Sequence, residues 1–181
     1  VSDRAGQKNQ PILAIGAIKV KIEIAETAQE KIKGLADREK LAQDEGMLFL
    51  FDEPATQRFW MRGMKFPLDI LWIRDDEVRG IAKNIPPPSP AKIFSDSLPT
   101  YESNEPVDKV LEVNAGWTKA NNIKIGDKII EYFGLAGEHK RYDELRLIKQ
   151  KIAKKHKFKL VEIYPSDLYS KNNNLGRILG L

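Results

Sequence analysis

The chain has 181 residues, 41% of them hydrophobic, and a formal net charge of +4. That length suits one domain with room for a small appendage, and a core that needs no staples. With no cysteine and only two histidines, His139 and His156, disulfides, thiolate metal sites, cysteine nucleophiles and a histidine-rich metal cage are excluded.

The stretch Val1 to Gln10 is polar and reads as a tether. The chain opens on Val1, so an upstream segment is expected to have been removed or to lie outside it. No apolar run reaches the roughly 18 residues that a spanning helix needs. Ile18, Val20, Ile22 and Ile24 alternate with Lys19, Lys21 and Glu23, the period of a strand with one wet face. Thr27 and Glu30 have capping-box spacing at the start of a short helix, and Gly34 suits its end. Ala36 to Gly46 is charged and predicts a loop. Met47 to Phe51 reads as a buried strand, with Asp52-Glu53-Pro54 as a turn. Arg58 to Met61 predicts a second strand. Asp69 to Ile73 predicts a third, just after Pro67, which cannot donate to a ladder. Asp75-Asp76 predicts a hairpin turn, with Val78 to Asn84 pairing back.

Pro86 to Pro90 is a stiff extended loop. Val107 to Val113 predicts another strand, broken by Ala115-Gly116. Two short strands follow, Ile123 to Ile125 and Lys128 to Phe133, joined by Gly126-Asp127. About seven short strands with close turns and no βαβ alternation predict a mainly β domain, a sandwich or partly open barrel with one or two short helices. Beyond it, Tyr142, Leu145, Ile148 and Ile152 recur at helical spacing. Phe158 to Tyr164 reads as a strand and Leu175 to Leu181 as a short helix. From Gly137 onward there are 11 Lys and Arg against 5 Asp and Glu, so any polyanion contact is expected there first. The expected organisation is a tether at 1–11, a β domain at 12–135 and a basic helix-strand-helix appendage at 136–181.

The blocks Glu45-Gly46-Met47-Leu48-Phe49-Leu50-Phe51, Phe59-Trp60-Met61-Arg62-Gly63-Met64-Lys65-Phe66-Pro67-Leu68-Asp69-Ile70, Val110-Leu111-Glu112-Val113-Asn114-Ala115-Gly116 and Ile125-Gly126-Asp127 resemble, in order and spacing, the bacterial and archaeal family called domain of unknown function 192. The likeness runs from about Ile18 to Phe133. Two positions depart from the family pattern: Ala36 stands where Met is usual after Gly-Leu, and Gly63 where Asn is common. The resemblance implies a compact jelly-roll-like β-sandwich and no established activity. Its members often carry an export signal or membrane anchor at the front. The expected setting is therefore extracytoplasmic, with any membrane contact made through a segment outside this chain. The tail, with Ile129 to Gly134 and Lys159 to Leu168, resembles the C-terminal half of restriction-endonuclease-like nucleases. That likeness implies Glu131 as a metal ligand, but Phe133 stands where the pattern wants Lys.

Among candidate site residues, Trp60 points away from Phe59 and Met61 on its strand. It can offer a flat platform to a sugar ring or peptide, with Asp69 accepting hydrogen bonds nearby. Packing under the proline loop is the competing role. Glu112 lies opposite Leu111 and Val113; with Asp69 it fits a carboxylate pair for acid–base work or a divalent cation, and with Arg38 or Arg58 it fits a structural ion pair. Tyr101 either closes over a groove at Trp60 or anchors a loop. Arg38 and Arg58 border the same region. No dinucleotide or Walker loop, nucleophile elbow or His-Glu-x-x-His motif occurs. The leading expectation is a non-enzymatic binding module for a small polar, saccharide-like or peptide ligand, with no cofactor and no metal. Trp60, Asp69, Tyr101, Glu112, Arg38 and Arg58 would form its ligand site. Two alternatives stay open: a nucleic-acid-associated protein with a degenerate nuclease-like tail, and a hydrolase built on Asp69 and Glu112.

Overall fold

The computed structural model describes residues 11–132 apart from Phe94 and Asp96. Residues 1–10 of the tether, the helix-strand-helix appendage and the nuclease-like likeness beyond Tyr132 lie outside the described residues. Leu13–Ile130 forms one compact unit.

The fold is mainly β, as the sequence predicts. Among the described residues nine strands form in chain order: β1 (Ile12–Ile15), β2 (Ile18–Ala25), β3 (Glu45–Ala55), β4 (Arg58–Trp60), β5 (Leu68–Arg74), β6 (Glu77–Ile85), β7 (Thr100–Glu102), β8 (Val107–Asn114) and β9 (Ile129–Tyr132). Two short helices join them, α1 (Ala28–Lys33) and α2 (Trp117–Ala120). The main sheet runs β6-β5-β8-β3-β2-β1-β9, and β4 pairs with β7 in a separate two-stranded flap. The alternating Ile and Val of β2 settle its register against β3, with Ile24 beside Leu48. That pair is parallel, so β2, α1 and β3 make one βαβ unit, contrary to the expectation of none. Parallel neighbours need a crossover of this kind.

Both faces of the central strands are buried, and alternation divides their side chains between two cores. Leu48, Leu50, Leu71, Ile73, Leu111 and Val113 join one cluster with Trp117. Met47, Phe49, Leu68, Ile70, Trp72 and Val110 join the other, which α1's following loop and the flap cover. The flap is held by rings. Phe59 meets Phe49 edge-to-face at 4.8 Å and Trp72 at 5.6 Å, the T-shaped geometry that aromatic quadrupoles favour.

Two local expectations need adjustment. Asp52-Glu53-Pro54 does not turn the chain: β3 continues to Ala55 through an irregular, exposed stretch, where the missing proline N–H costs little. The loop-like Ile123–Ile125 is no strand; Lys124 N instead donates to Asp127 Oδ2 at 2.8 Å in a turn. Ala115-Gly116 does end β8, but Gly116 also starts α2, at φ 81°. Asp75 and Asp76 both take positive φ, 52° and 58°, the paired left-handed geometry of a tight hairpin turn. The outer strand β6 is then tied to the start of β9. Val78 N donates to Asp127 O, Gly126 N to Val78 O and Ile129 N to Asp76 O, and a single bridge joins Glu77 and Lys128. The sheet therefore curls until its two ends meet.

Candidate functional site

A hollow of about 290 Å³ opens between α1 and the flap, over the face of β3 and β8. Its first wall is local chemistry. Thr27 Oγ1 accepts from Glu30 N at 3.2 Å, and Glu30 Oε2 accepts from Thr27 N at 2.9 Å, which is the capping box read from the sequence. The helix stops at Gly34, whose φ of 49° is a conformation that L side chains rarely adopt. A Cβ there would lie 3.4 Å from the Phe49 ring and 4.0 Å from Glu112 Oε2. Gly34 thus lets the chain pass directly over the floor.

Phe49, Met64 and Glu112 form that floor, and Phe51, Phe59 and Trp60 the aromatic wall. Four cations stand around the opening: Lys31, Lys33, Arg58 and Arg62. Lys31 lies over the Phe51 ring at 4.7 Å and Arg62 over the Trp60 ring at 5.4 Å, cation–π distances that hold the charged heads beside the apolar wall. Arg58 Nε pairs with Glu102 at 2.9 Å on the surface. Trp60 is 41% exposed and Ile32 is 76% exposed, so the rim presents apolar surface as well as charge.

Glu112 is the unusual group. Strand pairing sets it beside Met47 of β3 and Ile70 of β5, both members of the second core. It is 5% exposed. Burial pushes its carboxyl up to about 8, because a low-dielectric site disfavours the charged form. No ion pair or hydrogen bond among the described residues compensates it, and at neutral pH it is mostly protonated.

Of the six site residues expected from the sequence, Trp60, Arg58 and Glu112 meet in this hollow. Trp60 stands at the rim, partly open to solvent. Asp69 stands elsewhere. Leu68 pairs with Ile85 and Ile70 with Ala82, so two residues of β6 oppose Asp69 alone, a β-bulge. Asp69 Oδ1 accepts from the Asn84 N–H at 2.8 Å, and Oδ2 accepts from Thr118 N at 3.0 Å and Thr118 Oγ1 at 2.6 Å. It is fully buried and ties the bulge to α2. Register pairs Asp69 with Val113 and Ile70 with Glu112, so the two acids point to opposite faces of the sheet. The carboxylate-pair hydrolase is thereby corrected: the sheet itself separates its two groups.

Arg38 is likewise engaged, in a bidentate pair with Glu23 at 2.5 and 2.8 Å, which holds the Glu23 carboxyl below its usual range. Tyr101 pairs with Phe59 across the flap and packs against the second core rather than closing over Trp60. The site expected from the sequence does not include Lys31, Lys33, Gly34, Phe49, Phe51 or Met64, which all line the hollow. Gly34 was legible as a helix end, but its place above Glu112 depends on the parallel crossover, which leaves no periodic signal.

The comparisons agree with this fold. The family model described as DUF192, uncharacterized ACR, matches residues 12–130. A crystal structure from Sinorhizobium meliloti 1021, described as a "putative transcription regulator", is 32% identical; the match covers 67% of this chain and 91% of that one, with a TM-score of 0.58. A protein of unknown function from Novosphingobium aromaticivorans DSM 12444 is 34% identical over 66% of this chain and 83% of that one, also with a TM-score of 0.58. Among curated proteins none matches.

Proposed function

This chain belongs to the DUF192 family, and from that premise we propose that it is a binding module that receives a small molecule in the hollow beneath Trp60 and performs no covalent chemistry there. The observation that carries this reading is the position of Glu112. An uncompensated acid on a core face costs folding stability, and leucine or methionine would fill the same volume without that cost. Its carboxyl instead lines an open hollow, where an incoming molecule can reach it. The aromatic wall supplies the apolar contact area common to ligand sites, and a few polar groups converge on it. The described lining offers no hydroxyl, thiol or imidazole, so no serine-, cysteine- or histidine-type nucleophile stands in it.

The test is a titration followed by amide NMR on the full chain, using small carboxylates, monosaccharides and short peptides. Binding should shift the signals of Gly34, Arg58 to Arg62 and Glu112, and Trp60→Ala should abolish it while leaving the unfolding midpoint unchanged. A ligand whose shifts map elsewhere, or binding indifferent to Trp60→Ala, sinks the reading. Nucleic acid is the second reading. It is favoured by the four cations on one rim and by the description of the S. meliloti relative. It predicts affinity that falls steeply with salt, whereas a single small anion in the hollow predicts a shallow dependence.

A further inference from the structure

We propose that the ligand is a small organic acid with a flat, largely apolar body, whose anionic group meets the rim cations while an acceptor oxygen at its inner end takes a hydrogen bond from the carboxyl of Glu112. This inference rests on the reading of the hollow as a ligand site, and names what that site selects.

Three observations converge on it. The residues lining the hollow carry four cationic side chains and one acidic one, and that acid is buried and mostly protonated at neutral pH. Arg58 is already paired with Glu102, but the lining still carries more cationic than acidic side chains, which favours an anion at the mouth. The wall between mouth and floor is made of Phe51, Phe59 and Trp60, rings that match a flat apolar body by stacking or edge contact. The volume of about 290 Å³ suits one ring with short substituents. At the floor a protonated carboxyl offers one O–H donor, and the other groups there, Phe49 and Met64, offer no comparable donor.

The floor also discriminates between inner groups. An acceptor such as a ketone or ester oxygen receives the Glu112 proton's hydrogen bond directly. An ammonium group would need the carboxylate form, and would draw the proton off the acid. The two ligand classes consequently bind with opposite pH dependence. The charged groups that line the hollow with Glu112 are Lys31 and Lys33 from α1, Arg58 from β4 and Arg62 just after it; its neighbours on β3 and β5 are the apolar Met47, Phe49 and Ile70. Glu112, its carboxyl pushed up to about 8 by burial, titrates within the window.

The experiment uses the full chain and three probes titrated calorimetrically at pH 6, 7 and 9: 4-acetylbenzoate, 4-(aminomethyl)benzoate and glucose. Amide NMR maps each binding site, and circular dichroism verifies folding at each pH. The expected result is that 4-acetylbenzoate binds in the hollow best, with affinity falling about tenfold from pH 7 to pH 9 as Glu112 ionises. In Glu112→Gln, which keeps a neutral donor, binding should persist and vary less than about twofold over the same range. Arg62→Gln should weaken the acid several-fold. If the aminomethyl probe binds best, tightens as pH rises and is lost in Glu112→Gln, the hollow remains a site and the acid-ligand inference is overturned. If glucose binds there better than both benzoates, or none of the three binds in the hollow, the ligand class is wrong. If a probe binds with shifts confined to another surface, the site reading itself fails.

Discussion

Replacing Glu112 by Gln should stabilise the protein, and by an amount that grows with pH. In the unfolded chain the carboxyl has its ordinary value of 4.5, and in the folded protein burial moves it to about 8. Below pH 4.5 both states hold the proton, so the acid costs nothing extra. Between the two values the unfolded chain ionises while the folded one does not, so stability falls as pH rises through this interval. Above about pH 8 the folded carboxyl also ionises and the cost levels off. At roughly 1.4 kcal/mol per unit, the cost is about 3 kcal/mol at pH 7 and about 5 kcal/mol at the plateau. Glutamine keeps the volume and one uncompensated polar head but cannot ionise, so the difference between the two proteins isolates this one titration. Urea unfolding at pH 4, 5.5, 7 and 8.5, followed by tryptophan fluorescence, gives that difference directly. A gap that stays flat across those pH values, or that narrows upward, would show that Glu112 is compensated in the folded state and would remove the basis for its role at the floor.

Asp69→Ala should cost about 3 to 5 kcal/mol, since it leaves the Asn84 and Thr118 donors buried without their acceptor; a lowered urea midpoint with an unchanged slope checks it. Gly46→Ala should cost about 1 to 3 kcal/mol, because a Cβ there would stand 2.8 Å from the Glu112 carbonyl oxygen, and thermal unfolding reads the loss. The Arg38–Glu23 pair should contribute at most about 1 kcal/mol in a double-mutant cycle, as both side chains are more than a third exposed and screened. Because the Glu23 carboxyl is lowered, that contribution is present above its ordinary value of 4.5 and fades as pH drops through the folded value; a cycle repeated at pH 7 and pH 3 measures the fading.

Much of this arrangement is written in local patterns. The alternation of Ile18 to Ile24, the Thr27–Glu30 box and the Asp75-Asp76 turn each correspond to what forms. So does the parity that turns Glu112 away from Leu111 and Val113. Pairing is what those patterns lack. Asp69 and Glu112 look like partners because each is an acid in an apolar strand; only the register of β5 against β8 shows that they face opposite ways. Three residues are too few for a period to declare itself, so β7 (Thr100–Glu102) is silent in the sequence although it supplies Tyr101 to the flap. The charged surroundings of Arg38 suggest a rim residue and conceal that Glu23, 15 positions earlier, lies within reach.

The meeting of β6 with the turn before β9 bears on behaviour at high concentration. A terminal strand with a row of unsatisfied amides is a template for other chains. Here Val78, Gly126 and Ile129 spend theirs on one another's neighbourhood, and the rest of β6 displays Arg79 and Lys83 with a bulge at Asn84, features that repel or misalign an approaching strand. Cleavage between Gly126 and Ile129 would unfasten that seam, and fibrillar aggregation, rather than loss of ligand, would be its first symptom.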